Sequence, residues 1–270
     1  MPELAEVEYF RKRWEPGVGR RVAEVRVPRP TRPPRGLPLA ARRRALEGRR
    51  LRATLAAAKQ MAFRFEGGVW LGVHLGMTGR TDCVGADDRP PHEALSLLMS
   101  GGRRLVFADP RQFGRVRLWT GPGEPEWWSA IAPAVLSDAF TVEAVAGFLR
   151  RRARSPIKSV LLMQERFPGV GNWMADEALW RAGFHPRARA GDFGPASVRR
   201  LHAALREVCA DALRVIGEDW SDPPDSWLFN HRWEDGGTCP RSRRPLERGT
   251  VGGRTACWSP ARQRLGAERR

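Results

Sequence analysis

The chain has 270 residues, with 47 Lys+Arg against 30 Asp+Glu and a formal net charge of +17. Its length suits two domains or one domain with an appendage; at 41% hydrophobic content, with 11 Trp and 11 Phe, it can bury sizeable cores, and no run approaches the roughly 18 apolar residues of a membrane-spanning helix. Four cysteines make no disulfide scaffold, and a start of Met1-Pro2-Glu3, with Glu6 and Glu8 close behind, lacks the basic and apolar regions of a signal peptide, which points to the cytoplasm.

Residues 3–15 are expected to form a short helix, because Leu4, Val7, Phe10 and Trp14 share one face at helical spacing. From 18 to 120 short β-rich runs alternate with Gly and Pro breaks: Val22–Val27, Arg49–Ala56, Ala62–Phe65, Val69–Leu75, Ala94–Met99, Arg104–Ala108 and Arg115–Trp119. Regular short strands predict a sandwich or barrel-like β domain. Pro28–Pro38 reads as a loop, and the Gly- and Pro-rich stretch 121–137 contains a linker. Helices follow at Thr141–Arg152, with Thr141 as N-cap, and at Pro156–Arg166, with Ser155 as N-cap and Pro156 at the first helical position. Pro168-Gly169-Val170-Gly171 ends the second helix; a third spans Asn172–Ala182 and a long fourth Pro195–Ile216. The tail, Trp233–Arg264, returns to short strands around Gly252-Gly253. The fold class is therefore α+β: an N-terminal β-sandwich domain (1–128) preceded by a short helix, a linker (129–137), a helical domain (138–232) and a terminal β-hairpin (233–270).

Residues 1–137 carry 24 basic and 14 acidic groups, and residues 138–270 carry 23 and 16, so the positive charge is not confined to one tail. A globular chain that is basic in both halves reads first as a nucleic-acid binder. Only Lys12, Lys59 and Lys158 are lysines, which draws attention to the two interior ones.

Five segments could carry chemistry. Removal of Met1 ahead of the small Pro2 would expose a secondary amine, a nucleophile able to form an iminium with an aldehyde-like carbon, and Glu3 beside it could move a proton. Lys59 stands at the junction of two β runs. His74-Leu75-Gly76-Met77-Thr78-Gly79 is a turn after an apolar strand. Asp109-Pro110-Arg111-Gln112-Phe113-Gly114 sets a cation and an aromatic two residues apart, a pair that can enter a DNA stack, although a turn with a core Phe is the better reading of that segment alone. Ile157-Lys158 through Gly169-Val170-Gly171-Asn172-Trp173 joins two helices by a Gly-rich turn that can aim backbone N–H groups at a phosphate.

In this order the segments resemble the formamidopyrimidine-DNA glycosylase/endonuclease VIII family. Pro2-Glu3-Leu4-Ala5-Glu6-Val7-Glu8 is one residue from its opening PELPEVE, and the likeness runs from residue 2 to about 258. The resemblance implies a monomeric, nucleoid-associated bacterial repair enzyme that binds damaged double-stranded DNA and acts as a bifunctional glycosylase/AP lyase. It implies Pro2 as the nucleophile at C1′, Glu3 as acid/base, Glu6 as the carboxylate supporting the sugar and the N-terminus, and Lys59 as a phosphate contact beside the lesion. Met77, Arg111 and Phe113 resemble residues that fill the void left by a flipped base. Lys158 and Asn172 resemble phosphate ligands of a helix–two-turn–helix, and Arg254 the Arg at the tip of the terminal finger.

The finger departs from the family. Its two CxxC pairs are reduced here to Cys239-Pro240-Arg241-Ser242 and Cys257-Trp258-Ser259-Pro260, and His231 is off the spacing. Structural zinc takes four Cys or His ligands, so the expectation is no cofactor and a zincless hairpin held by packing of Trp258 and Trp233. Cys83 and Cys209 read as ordinary thiols. Compared with the family's long lid over a flipped 8-oxoguanine, residues 217–238 look short and packed, which favours formamidopyrimidines and hydantoins as substrates and weak action on 8-oxoguanine. The alternative is a relative that binds damaged DNA without cutting it.

Overall fold

The computed structural model describes residues 1–28 and 39–266. Helix α1 (Leu4–Lys12) starts at a capping box in which the Glu3 N–H donates to Glu6 Oε2 at 3.1 Å. Arg11 and Lys12 in its last turn suit the negative end of the helix dipole. It is shorter than the expected 3–15, because Glu15-Pro16-Gly17 tightens into a 3₁₀ turn. The expected apolar face is sunk at Val7 and Trp14, and the Trp14 Nε1–H donates to the Val106 carbonyl at 3.1 Å. Gly17 is required by close approach, since a Cβ there would lie 2.6 Å from Leu105 Cδ1.

Eight strands follow: β1 (Val22–Arg26), β2 (Leu51–Ala57), β3 (Gln60–Phe65), β4 (Val69–His74), β5 (Arg80–Gly85), β6 (Glu93–Met99), β7 (Arg103–Ala108) and β8 (Arg115–Thr120). They form two antiparallel four-stranded sheets, ordered β1-β6-β7-β5 and β2-β3-β4-β8. Their inward residues, among them Val25, Phe63, Leu71, Leu97 and Phe107, make one core with Val7 and Trp14. Neither β5, whose Arg-Thr-Asp-Cys sequence hides its alternation, nor helix α2 (Leu39–Leu46) was expected. The loop expected at Pro28–Pro38 lies, but for Pro28, outside the described residues.

The chain divides into two compact units, Met1–Ile131 and Ala132–Arg270. Within the Gly- and Pro-rich stretch 121–137, α3 (Glu126–Ser129) lays Trp127 over Gly72 of β4, leaving no room there for a Cβ. In the second unit, α4 (Val142–Arg151) is capped by the Thr141 hydroxyl, which accepts from the Ala144 N–H at 3.1 Å. Helix α5 spans only Ile157–Leu161. Ser155 is not its cap: the first N–H groups, of Ile157 and Lys158, donate instead to the carbonyls of Ala188 and Pro186 at 2.7 and 3.2 Å. Helix α6 (Asn172–Ala182) ends on Gly183 in the left-handed region, and α7 (Pro195–Asp219) packs beside it. The hairpin β9 (Glu247–Val251) and β10 (Arg254–Trp258) closes the chain. Among the described residues no helix is long and apolar enough to cross a membrane.

Candidate active site and nucleic-acid contacts

The N-terminus is fixed from inside the fold. Glu3 is buried (3% exposed) while Met1 is 55% exposed and Pro2 lies partly buried between them. The Glu6 carboxylate, held by the Glu3 N–H, fixes the backbone that follows Pro2. Farther along α1, Arg11 ties the helix to β2 through the Thr54 hydroxyl at 2.6 Å. A carboxylate next to a positioned amine is the minimum needed for proton transfer during attack on carbon.

Lys59 occupies the two-residue turn between β2 and β3, where Ala58 takes φ 55°. Close enough to feel its charge is His74, at the end of β4. Burial, and then Arg115, Lys59 and Arg117, hold the His74 imidazole below its ordinary value near 6.5. The Gly76 N–H donates to His74 Nδ1 at 3.0 Å, so the neutral ring carries its proton on Nε2 and offers a donor without a charge. From sequence, His74 is visible only as part of a turn; its nearness to Lys59 requires the β3–β4 register that sets Met61 opposite Val73.

The turn after β4 and the loop before β8 pack backbone to backbone. A Cβ on Gly76 would meet the Phe113 carbonyl carbon at 2.6 Å and the Gly114 nitrogen at 2.7 Å. Buried Asp109 shapes the second loop by accepting from the Gly114 N–H at 2.6 Å, and Gln112 takes φ 55° at its tip. The result brings Met77 and Phe113, 42% and 48% exposed, onto two touching loops, with the Arg111 guanidinium 4.9 Å from the centre of the Phe113 ring. Phe113 is therefore not a core residue. Exposed apolar side chains on rigid, adjoining turns are suited to enter a base stack.

In the second unit Lys158 is not where a phosphate ligand must be. It is fully buried, its ammonium 2.6 Å from Asp176 Oδ1 and donating also to the Thr255 carbonyl. Asp176 Oδ2 meets Arg232 at 2.6 Å and accepts from the Cys257 N–H at 3.1 Å. This ion network joins α5, α6, the segment after α7 and β10, so the role expected for Lys158 is corrected to a structural one. Asn172 does open α6, behind Gly171 as N-cap, and its Oδ1 is buried with no hydrogen-bond partner. Gln164, which sequence reasoning missed, builds the turn ahead of α6: its amide donates to Leu162 and Val170 carbonyls at 3.0 and 2.9 Å and accepts from Gly169 at 3.1 Å. Arg254 is exposed at the hairpin tip, after Gly252 and Gly253 with φ of 59° and 74°. A Cβ on Gly252 would strike the Ser159 hydroxyl, so the tip rests on α5.

The finger's donor set does not fit structural zinc. Cys239 Sγ accepts from the Trp180 indole and the Ser242 N–H, both at 3.4 Å, and the hydroxyls of Ser242 and Ser259 lie 3.4 Å apart. Burial opposes ionisation of Cys239, yet the hydrogen bonds from Ser242 and Trp180 bring it down to about 7. Cys257 is pushed up to about 11 by burial and by Asp176. Among the described residues no group of three His, Cys, Asp or Glu could hold a metal ion. His231 is turned to the Asp225 carbonyl at 2.8 Å. Trp258 packs against His185, with ring centres 5.1 Å apart, whereas Trp233 is 52% exposed and does not serve the packing expected of it.

Comparison with known proteins gives the same outline. A family model described as the formamidopyrimidine-DNA glycosylase N-terminal domain matches residues 1–116, and one described as the H2TH domain of that enzyme matches 131–222. The formamidopyrimidine-DNA glycosylase of Thermus thermophilus is 37% identical, over 97% of this chain and 98% of its own length. That of Chloroflexus aggregans is 35% identical, over 98% and 99%. The crystal structure of MutM (Fpg) from Thermus thermophilus superposes with a TM-score of 0.80 at 35% identity, over 98% of this chain and all of the other. A Lactococcus lactis Fpg mutant in complex with Fapy-dG containing DNA gives 0.85 at 25%, over 97% and 100%.

Proposed function

The chain belongs to the formamidopyrimidine-DNA glycosylase family, DNA glycosylases of base excision repair with AP lyase activity, and on that premise we propose that the Pro2 amine, freed by loss of Met1, attacks C1′ of a damaged nucleotide. The carrying observation is the buried Glu3 beside Pro2, with its backbone held by Glu6. Attack forms the N–C1′ bond as the glycosidic electron pair leaves with the base, and the sugar ring opens as the iminium forms. The iminium acidifies the adjacent C2′–H. Loss of that proton expels the 3′ phosphate in β-elimination, and a second elimination releases the 5′ phosphate. Glu3 moves the protons. Lys59, with neutral His74, holds a phosphate next to the lesion, and Asn172 and Arg254 hold others. Met77, Arg111 and Phe113 fill the vacated stack. Flipping costs a few kcal/mol, which these contacts offset. Strand cleavage of abasic duplex is the direct test; a protein that binds the duplex and leaves it intact would be the non-catalytic relative.

The same reading has the enzyme cytoplasmic and its finger working without zinc, supported by the serines around Cys239. Elemental analysis is expected to find far less than one zinc per chain, and cleavage to survive a chelator. One zinc per chain, with activity lost on chelation, would overturn it.

Substrate preference follows from residues 220–238. Trp227 and Leu228 are buried, Phe229 packs on Trp173 with ring centres 5.0 Å apart, and Asn230 donates to the Pro223 carbonyl at 2.7 Å. A segment anchored at these points is suited to packing more than to folding over a base as a mobile lid. 8-Oxoguanine barely differs from guanine and needs specific hydrogen bonds to be told apart, whereas ring-opened and hydantoin bases disturb the stack and flip more cheaply. Single-turnover excision opposite cytosine is expected to be faster for a hydantoin or a formamidopyrimidine than for 8-oxoguanine. Equal rates would refute the argument.

A further inference from the structure

Within the first unit, the outer face of the β2-β3-β4-β8 sheet carries positive charge that the site above does not use. Val73 of β4 and Val116 and Leu118 of β8 point into the core, so strand alternation turns His74, Arg115 and Arg117 outward. The register agrees: His74 stands opposite Arg115, and Gly72, covered from outside by Trp127, stands opposite Arg117. β8 is an edge strand of this sheet, and both arginines are exposed. Among the described residues neither guanidinium has an ion pair or a hydrogen bond, and the outward positions of β3, β4 and β8 hold no acid. The Arg117 guanidinium is seated 6.0 Å from the centre of the Trp127 ring. The charge is felt at His74, whose imidazole is held below its ordinary value by burial first and then by Arg115, Lys59 and Arg117. Two like charges about 7 Å apart on one strand face repel each other. A chain of regularly spaced anions neutralises both at once.

We propose that Arg115 and Arg117 hold further phosphates of the DNA strand that passes Lys59 and His74, so that the bound stretch continues over the outer face of β8. The inference rests on the glycosylase reading, which places a phosphate at Lys59 and His74. The occupant is a nucleic-acid strand because the arginines continue that surface without a break: Arg115 lies one strand over from His74, and Arg117 one step farther along β8. A guanidinium also offers a phosphate two parallel N–H donors. Arg115 follows Phe113 by two residues, so the segment that presents the wedge also grips the backbone of the wedged strand. Contacts of this kind fix position and carry no sequence information, and they add affinity shared by damaged and undamaged duplex.

The test measures affinity against salt for a duplex holding an uncleavable abasic-site analogue and for the same duplex undamaged. Arg115→Gln and Arg117→Gln are each expected to lower the slope of log affinity against log salt by about 0.9, and the double variant by about 1.8, equally on both duplexes. Arg117→Lys keeps the charge and should keep the slope. Arg103→Gln removes an exposed cation from β7 of the other sheet and should leave the slope as it is. The Arg117→Gln effect is expected to vanish on a duplex that ends close to the lesion on one side and to persist on a duplex shortened on the other. An unchanged slope in the double variant, an equal drop for Arg103→Gln, or an Arg117→Gln effect that survives both shortenings would each overturn the proposal. Cleavage of natural abasic DNA by the unaltered protein is measured alongside. Its absence would sink the glycosylase reading while the slopes still decide whether the two arginines hold the strand.

Discussion

Borohydride reduction of the protein on abasic DNA is expected to give a covalent adduct that maps to residue 2, and the Pro2→Leu protein is expected to give none. A bulky second residue keeps Met1 in place, so the secondary amine is lost and the new terminus is displaced by a residue. Once Met1 is lost, Pro2 would offer an amine beside a buried carboxylate at a helix start. Lys158 cannot substitute, since its ammonium is fully buried and paired with Asp176. Glu3→Gln keeps the side-chain length while removing the proton acceptor, and should slow base excision by about 10²- to 10⁴-fold, the usual worth of a positioned acid/base. An adduct that maps to Lys59 would move the nucleophile to the β2–β3 turn and discard the N-terminal mechanism.

Lys158→Ala is expected to lower stability by about 3–5 kcal/mol, the cost of leaving a buried charge without its partner. Asp176 keeps Arg232 but loses its 2.6 Å contact on the other oxygen, and the Thr255 carbonyl loses its donor. Thermal or urea unfolding measures this directly. The slope of log affinity against log salt should stay unchanged in whatever protein remains folded, because each lost phosphate contact would change it by about 0.9. A stable variant with a slope lower by about one would restore Lys158 to the DNA surface.

The β domain was legible because its strands keep an apolar alternation and its turns carry Gly and Pro; β5 escaped because Arg80 and Asp82 alternate with Thr81 and Cys83, neither strongly apolar. The N-terminal residues were legible because chemistry there depends on chain position, and Glu3 and Glu6 have the three-residue spacing of a capping box. Met77, Arg111 and Phe113 were found in separate turns, but only sheet pairing brings the turns together. Lys158 was misplaced because a lysine near a Gly-rich turn suggests a phosphate. The opposing signal was present: Lys158 stands among Ile157, Val160 and Leu161, and Asp176 among Met174, Ala175 and Ala178, two opposite charges each inside an apolar run. Partners 18 residues apart cannot be paired until the hairpin is built. Trp233 differs from the packing expected of it because burial at a chain's surface changes from one residue to the next: Trp227 and Leu228 are buried and Trp233 is exposed.

Asp176 makes the terminal hairpin inseparable from the helices. Its Oδ2 accepts the Cys257 N–H near the end of β10, while Lys158 accounts for the Thr255 carbonyl two residues earlier. Opening the hairpin alone would strand a buried carboxylate and a buried ammonium together, so small local fluctuations there are suppressed. The amide proton of Cys257 should therefore exchange with solvent as slowly as those in the middle of α6, although it belongs to a two-stranded ribbon near the end of the chain, where fraying is the rule. One aspartate that answers to two cations carries that cooperativity from the helices into the ribbon.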